Sequence, residues 1–264
     1  MDYVKIESGG IERTYGIYIP IAYDPAKSTP LILDFHSSGS DPEKQASVSR
    51  FKPIADRAKA LVVRPWGKFL QNGLPSWNAN LEPGEVDDIQ FVLDIIAHLQ
   101  QSYNIDTSRI YGVGFSGGAR MVSRLACEVP DVFAGMAMVA GLQYPDDCAA
   151  STAVPIIAFH GKEDAVNPYD LTLNSPVYWN KSVEDSVADW VVHYDCVSEN
   201  TEDLSGHVVR ASYSDCFDNA EIQFFSIDNA GHTWPGNRLT TWLGLGETNM
   251  EVHATRRIWS FFNR

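Results

Sequence analysis

At 264 residues with 44% apolar side chains, the chain is long enough to bury a sizeable core as a single domain over 1–264, and no linker or repeat divides it. Its 34 acidic against 20 basic residues give a net charge of −14, which repels nucleic acid and anionic membrane surfaces but not a neutral or solid polymer. No apolar run is long enough to cross a bilayer, and Met1-Asp2-Tyr3-Val4-Lys5-Ile6 lacks a basic region followed by an apolar one, so secretion would require a signal already removed.

Tyr3–Glu7 and Arg13–Pro20 alternate apolar and polar residues around Ser8-Gly9-Gly10, which predicts an antiparallel hairpin at a sheet edge. Pro30–His36 is nearly continuous in apolar character, the pattern of a strand buried on both faces of a parallel sheet. A helix is predicted over 45–59, a strand over Ala60–Pro65, and a long loop rich in Gly, Asn, Pro and Trp from Trp66 to Gly84. Structureless stretches of that length are often functional, so Trp66, Phe69 and Trp77 are candidates to line a pocket for an aromatic or sugar-linked acyl group. A helix with Val86, Ile89, Val92, Ile96 and Leu99 on its apolar side is predicted from Glu85, with Asp87 and Asp88 as charges at its start.

Ile110, Tyr111, Val113 and Phe115 form the next predicted strand, and Met121, Val122, Leu125 and Ala126 recur at helical spacing after it. Between them stands Gly114-Phe115-Ser116-Gly117-Gly118. A strand that stops abruptly and enters a helix with one serine pushed outward is a nucleophile elbow, and small neighbours give it room. Phe133–Ala140 and Val154–His160 are further buried strands. Strands thus alternate with helices, which predicts an α/β fold with a mostly parallel central sheet and helices on both faces.

His160-Gly161-Lys162-Glu163-Asp164 carries an acid past the carboxyl end of its strand, where open α/β sheets place their sites. Asp164 is the predicted triad acid and Glu163 its nearest rival; Asp185 and Asp189 read as solvated charges of a helix opened by Ser182. Gly206–Tyr213 and Glu221–Ile227 are the last predicted strands, and Asn229–Gly236 follows as a loop whose His232 is the predicted general base. His98, His193, His207 and His253 are expected to be structural, and His36 and His160 to shape loops at the site. Glu247–Arg264 reads as a packing helix.

In such a constellation Ser116 attacks an acyl carbonyl, His232 takes its proton, and Asp164 fixes the imidazole tautomer. Backbone N–H groups of Ser38, after the first core strand, and Gly117, after the nucleophile, are the expected oxyanion donors. The chemistry needs no metal and no organic cofactor. Trp77 and Trp234 are the expected substrate contacts. By spacing the four cysteines fall into local pairs, Cys127 with Cys148 and Cys196 with Cys216, which fits two disulfides or four reduced thiols.

These residues resemble the α/β-hydrolase family that contains feruloyl esterases, acetyl xylan esterases and polyhydroxybutyrate depolymerases. The resemblance covers nearly the whole chain and rests on Val86–Phe91, Arg109–Gly118, Leu125–Glu128, His160–Asp164, Val187–Val191 with Cys196, and above all Gly231-His232-Thr233-Trp234-Pro235-Gly236. It implies Ser116 as nucleophile, Asp164 as acid and His232 as base, in a secreted enzyme bearing disulfides. The chain departs from the family at His36-Ser37-Ser38, where His-Gly-Cys is common. Within the family the expectation is a feruloyl esterase acting on carbohydrate-linked or polymeric esters, with polyhydroxybutyrate depolymerase or acetyl xylan esterase as alternatives. A catalytically idle carbohydrate-binding module is the non-enzymatic alternative, and the triad chemistry alone also suits a peptidase.

Overall fold

The computed structural model describes residues 1–241 and 244–264. The first hairpin forms as expected. Strands β1 (Asp2–Ser8) and β2 (Ile11–Tyr18) pair antiparallel, and Gly9 and Gly10, both at positive φ, make the two-residue turn. The apolar run becomes β3 (Thr29–Phe35), buried along its length.

Two helices replace the one predicted over 45–59. Helix α1 (Pro42–Ser49) is capped by Asp41, whose carboxylate accepts from Lys44 N, and ends where Arg50 turns left-handed. Helix α2 (Lys52–Ala58) starts afresh because Pro53 has no N–H to continue the earlier ladder and fits only a first turn. Strand β4 (Leu61–Pro65) follows as predicted. The long loop holds a hairpin of its own, β5 (Phe69–Gln71) with β6 (Leu74–Ser76), turned by Asn72 and Gly73 at positive φ.

Helix α3 (Asp88–Ser102) begins three residues later than expected, with Asp87 accepting from Gln90 N as its cap. Asp88 stands in the first turn, as expected, but has a second role. It is buried, holding Arg13 at 2.6 Å and the Asn78 N–H at 2.7 Å, which ties the long loop to the first hairpin. Strand β7 (Ile105–Phe115) leads through Ser116 into α4 (Gly117–Glu128), and β8 (Gly135–Val139) and β9 (Ile156–Gly161) follow. Helix α5 (Val183–His193) is capped by Ser182. Strand β10 (Ser198–Asp203) has no apolar alternation and was not predicted; β11 (Val208–Ser214), β12 (Ile222–Ile227) and α6 (Ala254–Phe262) complete the chain.

Among the described residues ten strands form one sheet in the order β1-β2-β4-β3-β7-β8-β9-β12-β11-β10. The block from β4 to β12 is parallel, and antiparallel pairs extend it at both ends. Alternation along the strands divides the core in two. Leu31, Leu33, Phe35, Ile156 and Ala158 pack with α3, α4 and α5; Ile32, Val113, Ile157 and Phe159 pack with α1, α2 and α6. Cys127–Cys148 and Cys196–Cys216 are disulfides, the pairing expected from spacing and resemblance. Each closes a loop of about twenty residues, which in the chain-entropy account stabilises by about 3 kcal/mol.

Candidate active site

Since β3, β7, β8, β9 and β12 form one parallel block, their carboxyl ends share one edge of the sheet. The loops carrying Ser38, Ser116, Asp164 and His232 all leave from that edge. Ser116 sits between β7 and α4 at φ 56° and ψ −118°, a conformation an L-residue adopts only under strain. Its N–H donates to Val139 O at 2.9 Å, which locks the turn to the neighbouring strand. Close packing explains the glycines around it: a methyl group at Gly114 would run into the Gly118 carbonyl, and one at Gly118 into the Phe35 carbonyl.

His232 Nδ1 lies 2.7 Å from Asp164 Oδ2, with both side chains buried. A carboxylate only accepts, so Nδ1 carries the proton and Nε2 is left with a lone pair. Asp164 Oδ1 accepts the N–H groups of Val166 and Asn167, each at 2.8 Å. His160 supports the same carboxylate from below. Its Nε2 is 3.3 Å from Asp164 Oδ2 and 2.9 Å from Asn167 O, so this nitrogen bears the proton, since a carbonyl cannot donate. Burial alone would raise the Asp164 carboxyl, but the hydrogen bonds from His160 and His232 hold it well below the usual carboxylate range. Glu163 next door is exposed. Ser116 is 8% exposed, and its hydroxyl forms no hydrogen bond among the described residues; Phe115, beside it in the chain, packs its ring 5.2 Å from the His232 imidazole.

The expected oxyanion donors face one another. A methyl group on Gly117 would meet Ser38, its hydroxyl first and its backbone N at 3.0 Å. Among the described residues neither the Ser38 nor the Gly117 N–H has an acceptor in the protein. The Ser38 hydroxyl is engaged with Ser76 Oγ at 2.6 Å and Gln71 Oε1 at 3.0 Å, so the small β5–β6 hairpin holds this loop. That hairpin and Asn167 escaped the sequence reading. Asn72-Gly73, a strong two-residue turn signal, could have revealed the hairpin.

Both tryptophans expected at the substrate are packed away. Trp77 is 3% exposed, lies edge-on to Phe35 and donates its indole N–H to His36 O at 2.8 Å. Trp234 is 0% exposed, in the core beneath α6, and donates to Thr255 Oγ1 at 2.9 Å. Each has a large apolar ring and one donor, and the core uses both. Trp66 is 37% exposed but packs on Tyr3 at the hairpin edge, 5.9 Å between ring centroids.

His36 has the loop-shaping role expected of it. Its Nδ1–H donates to Ser37 O at 2.8 Å and its Nε2 accepts from Gly67 N at 3.0 Å, leaving no room for a second proton. Burial accordingly pushes its pKa from 6.5 down to about 4. In that interval the unfolded chain binds a proton that the folded chain refuses, so stability is complete above about 6.5 and falls as pH drops towards 4. The shift amounts to about 3 kcal/mol at its full extent. Urea unfolding at pH 7 and pH 4 should show the wild type losing about that much more than His36→Gln; equal losses would acquit His36.

Residues 13–212 match the family model described as Esterase PHB depolymerase. A bifunctional acetylxylan esterase/xylanase of Neocallimastix patriciarum is 30% identical over 168 residues, covering 64% of this chain and 23% of that protein. Feruloyl esterase C of Emericella nidulans is 28% identical over 257 residues, covering 95% of this chain and 83% of that protein. The chain spans 51%, 23% and 47% of the length of the first three curated relatives it matches. An acetyl xylan esterase from Aspergillus awamori superposes with a TM-score of 0.69 at 14% identity, covering 93% of this chain and 100% of that one. At that identity the likeness is one of fold, and with the sheet order above it makes this the α/β-hydrolase fold that the resemblance implied.

Proposed function

Since this chain belongs to the Esterase PHB depolymerase family, we propose that it is a serine carboxylic ester hydrolase with Ser116 as nucleophile, His232 as general base and Asp164 as the acid. The observation that carries the reading is the buried hydrogen bond from His232 Nδ1 to Asp164, on the same carboxyl edge of the sheet as a serine held in a strained turn. In the first half-reaction Ser116 Oγ adds to the ester carbonyl as its proton passes to His232 Nε2. The oxyanion is received by the Ser38 and Gly117 N–H groups, and the protonated imidazole then returns its proton to the departing alcohol. Water, activated by the same imidazole, releases the acid.

The substrate we propose is a feruloyl-type ester of a plant cell-wall carbohydrate. Support comes from the likeness to feruloyl esterase C, which runs along 95% of this chain, and not from aromatic loops, since Trp77 and Trp234 belong to the core. A polar cavity of about 260 Å³, one turn along α4 from Ser116 and bordered by Asn80, Gln143, Tyr178 and Asn180, suits a sugar next to the ester. Secretion is part of the same proposal, supported by the two disulfides. The test is a panel of methyl ferulate, acetylated xylan, p-nitrophenyl acetate and polyhydroxybutyrate at equal enzyme. Methyl ferulate should give the highest kcat/KM; preference for acetylated xylan or the polyester would reassign the substrate, and hydrolysis of none would remove the esterase reading.

A further inference from the structure

Four arginines are buried: Arg13, Arg64, Arg120 and Arg124. Three meet carboxylates, Arg13 with Asp88 at 2.6 Å, Arg64 with Asp34 at 2.8 Å, and Arg124 with Asp147 at 2.7 Å. Arg120, 8% exposed, has no carboxylate within ion-pair distance among the described residues, in a chain with 14 more acids than bases. A buried charge without a counter-charge is costly and needs a reason. Burial also presses its guanidinium below the ordinary range.

Its position suggests the reason. Arg120 lies one helical turn after Ser116, stacked on Tyr178 at 4.3 Å. Its Nη2 donates to Gln71 Oε1 at 2.8 Å and approaches Ser38 Oγ at 3.4 Å. Ser38 and Gln71 are the same groups that fasten the loop facing Gly117. The other groups that hold Ser38 and Gly39 are neutral, Ser76 Oγ on Ser38 and the Pro75 carbonyl accepting from Gly39 N, while the charged residues after the loop, Asp41 and Lys44, pair with each other at 3.0 Å.

We propose that Arg120 is a positioning residue for the oxyanion loop: it fixes Ser38 through Gln71, and its charge stays unpaired until negative charge develops on the substrate oxygen between Ser38 and Gly117. The proposal rests on the reading of Ser116 as nucleophile. A counter-ion supplied by the protein would cancel the field behind the loop, whereas one that exists only in the transition state favours the reaction.

Two variants test it. Arg120→Met removes the charge, and Gln71→Glu neutralises it from the half-buried hairpin without touching α4. On methyl ferulate, which has no sugar to meet the cavity that Arg120 also lines, each should lower kcat by about ten- to a hundredfold with KM within about threefold, and Arg120→Lys should recover part of the loss. Inhibition by phenylboronic acid, which becomes a tetrahedral anion on a serine, should weaken in parallel with kcat. A purely structural arginine predicts the reverse for Gln71→Glu: a raised unfolding temperature with kcat and boronate inhibition unchanged. That result overturns the proposal even if Arg120→Met fails to fold. Labelling of wild-type Ser116 by a fluorophosphonate separates the two readings, since absent labelling brings down the nucleophile assignment, while labelling with wild-type kcat in Gln71→Glu brings down Arg120 alone.

Discussion

Ser116→Ala is expected to lower ester turnover by at least about three orders of magnitude while leaving the fold in place. The hydroxyl is the atom that would bond to the acyl carbon, and triad members act as a unit, so nothing else in the site substitutes for it. Stability should barely change. Alanine keeps the Cβ that the strained backbone at φ 56° already accommodates, and the lost hydroxyl has no hydrogen bond among the described residues. The measurement is kcat on the fastest ester of the panel, with thermal unfolding beside it and fluorophosphonate labelling followed by mass. A folded alanine variant that keeps a tenth of wild-type turnover would end the assignment.

For Asp164→Asn the expected loss is about four orders of magnitude, again with the fold retained. The structure supplies the reason. Asp164 Oδ1 faces two N–H donors, from Val166 and Asn167, and Oδ2 faces His232 Nδ1. An asparagine must give its carbonyl oxygen to the two backbone donors, which leaves its NH2 group directed at the imidazole. Nδ1 must then accept, the proton moves to Nε2, and the lone pair that should take the Ser116 proton is gone. Glu163→Gln should change turnover less than about twofold, since that side chain is exposed. Comparable losses at the two positions, or a fully active Asp164→Asn, would refute the assignment.

The buried strands were legible in the sequence because burial on both faces leaves continuous apolar runs such as Pro30–Phe35, and the hydrogen-bonded Asp164–His232 pair because parallel strands bring their carboxyl-end loops together. The failures have equally definite causes. An indole in a loop looks the same in sequence whether it meets a ligand or a core, so Trp77 and Trp234 could be assigned only from their neighbours Phe35, His36 and Thr255. Asp88 reads as a helix-start charge until Arg13, 75 residues away, is seen beside it. Arg120 is invisible for the same reason: its partners Gln71 and Ser38 lie 49 and 82 residues off, and no periodicity records such distances.

Strand β10, which has no apolar face to announce it, closes the sheet on one side with Glu199, Glu202 and Asp203 among its exposed residues. A sheet border ordinarily offers a row of unsatisfied amides and carbonyls to any extended segment that drifts past. Here a stranger docking on that border would have to lay its own backbone along a row of carboxylates and draw them away from water. The polarity that hides β10 from a pattern search is therefore also what makes it a safe place for a ten-stranded sheet to stop.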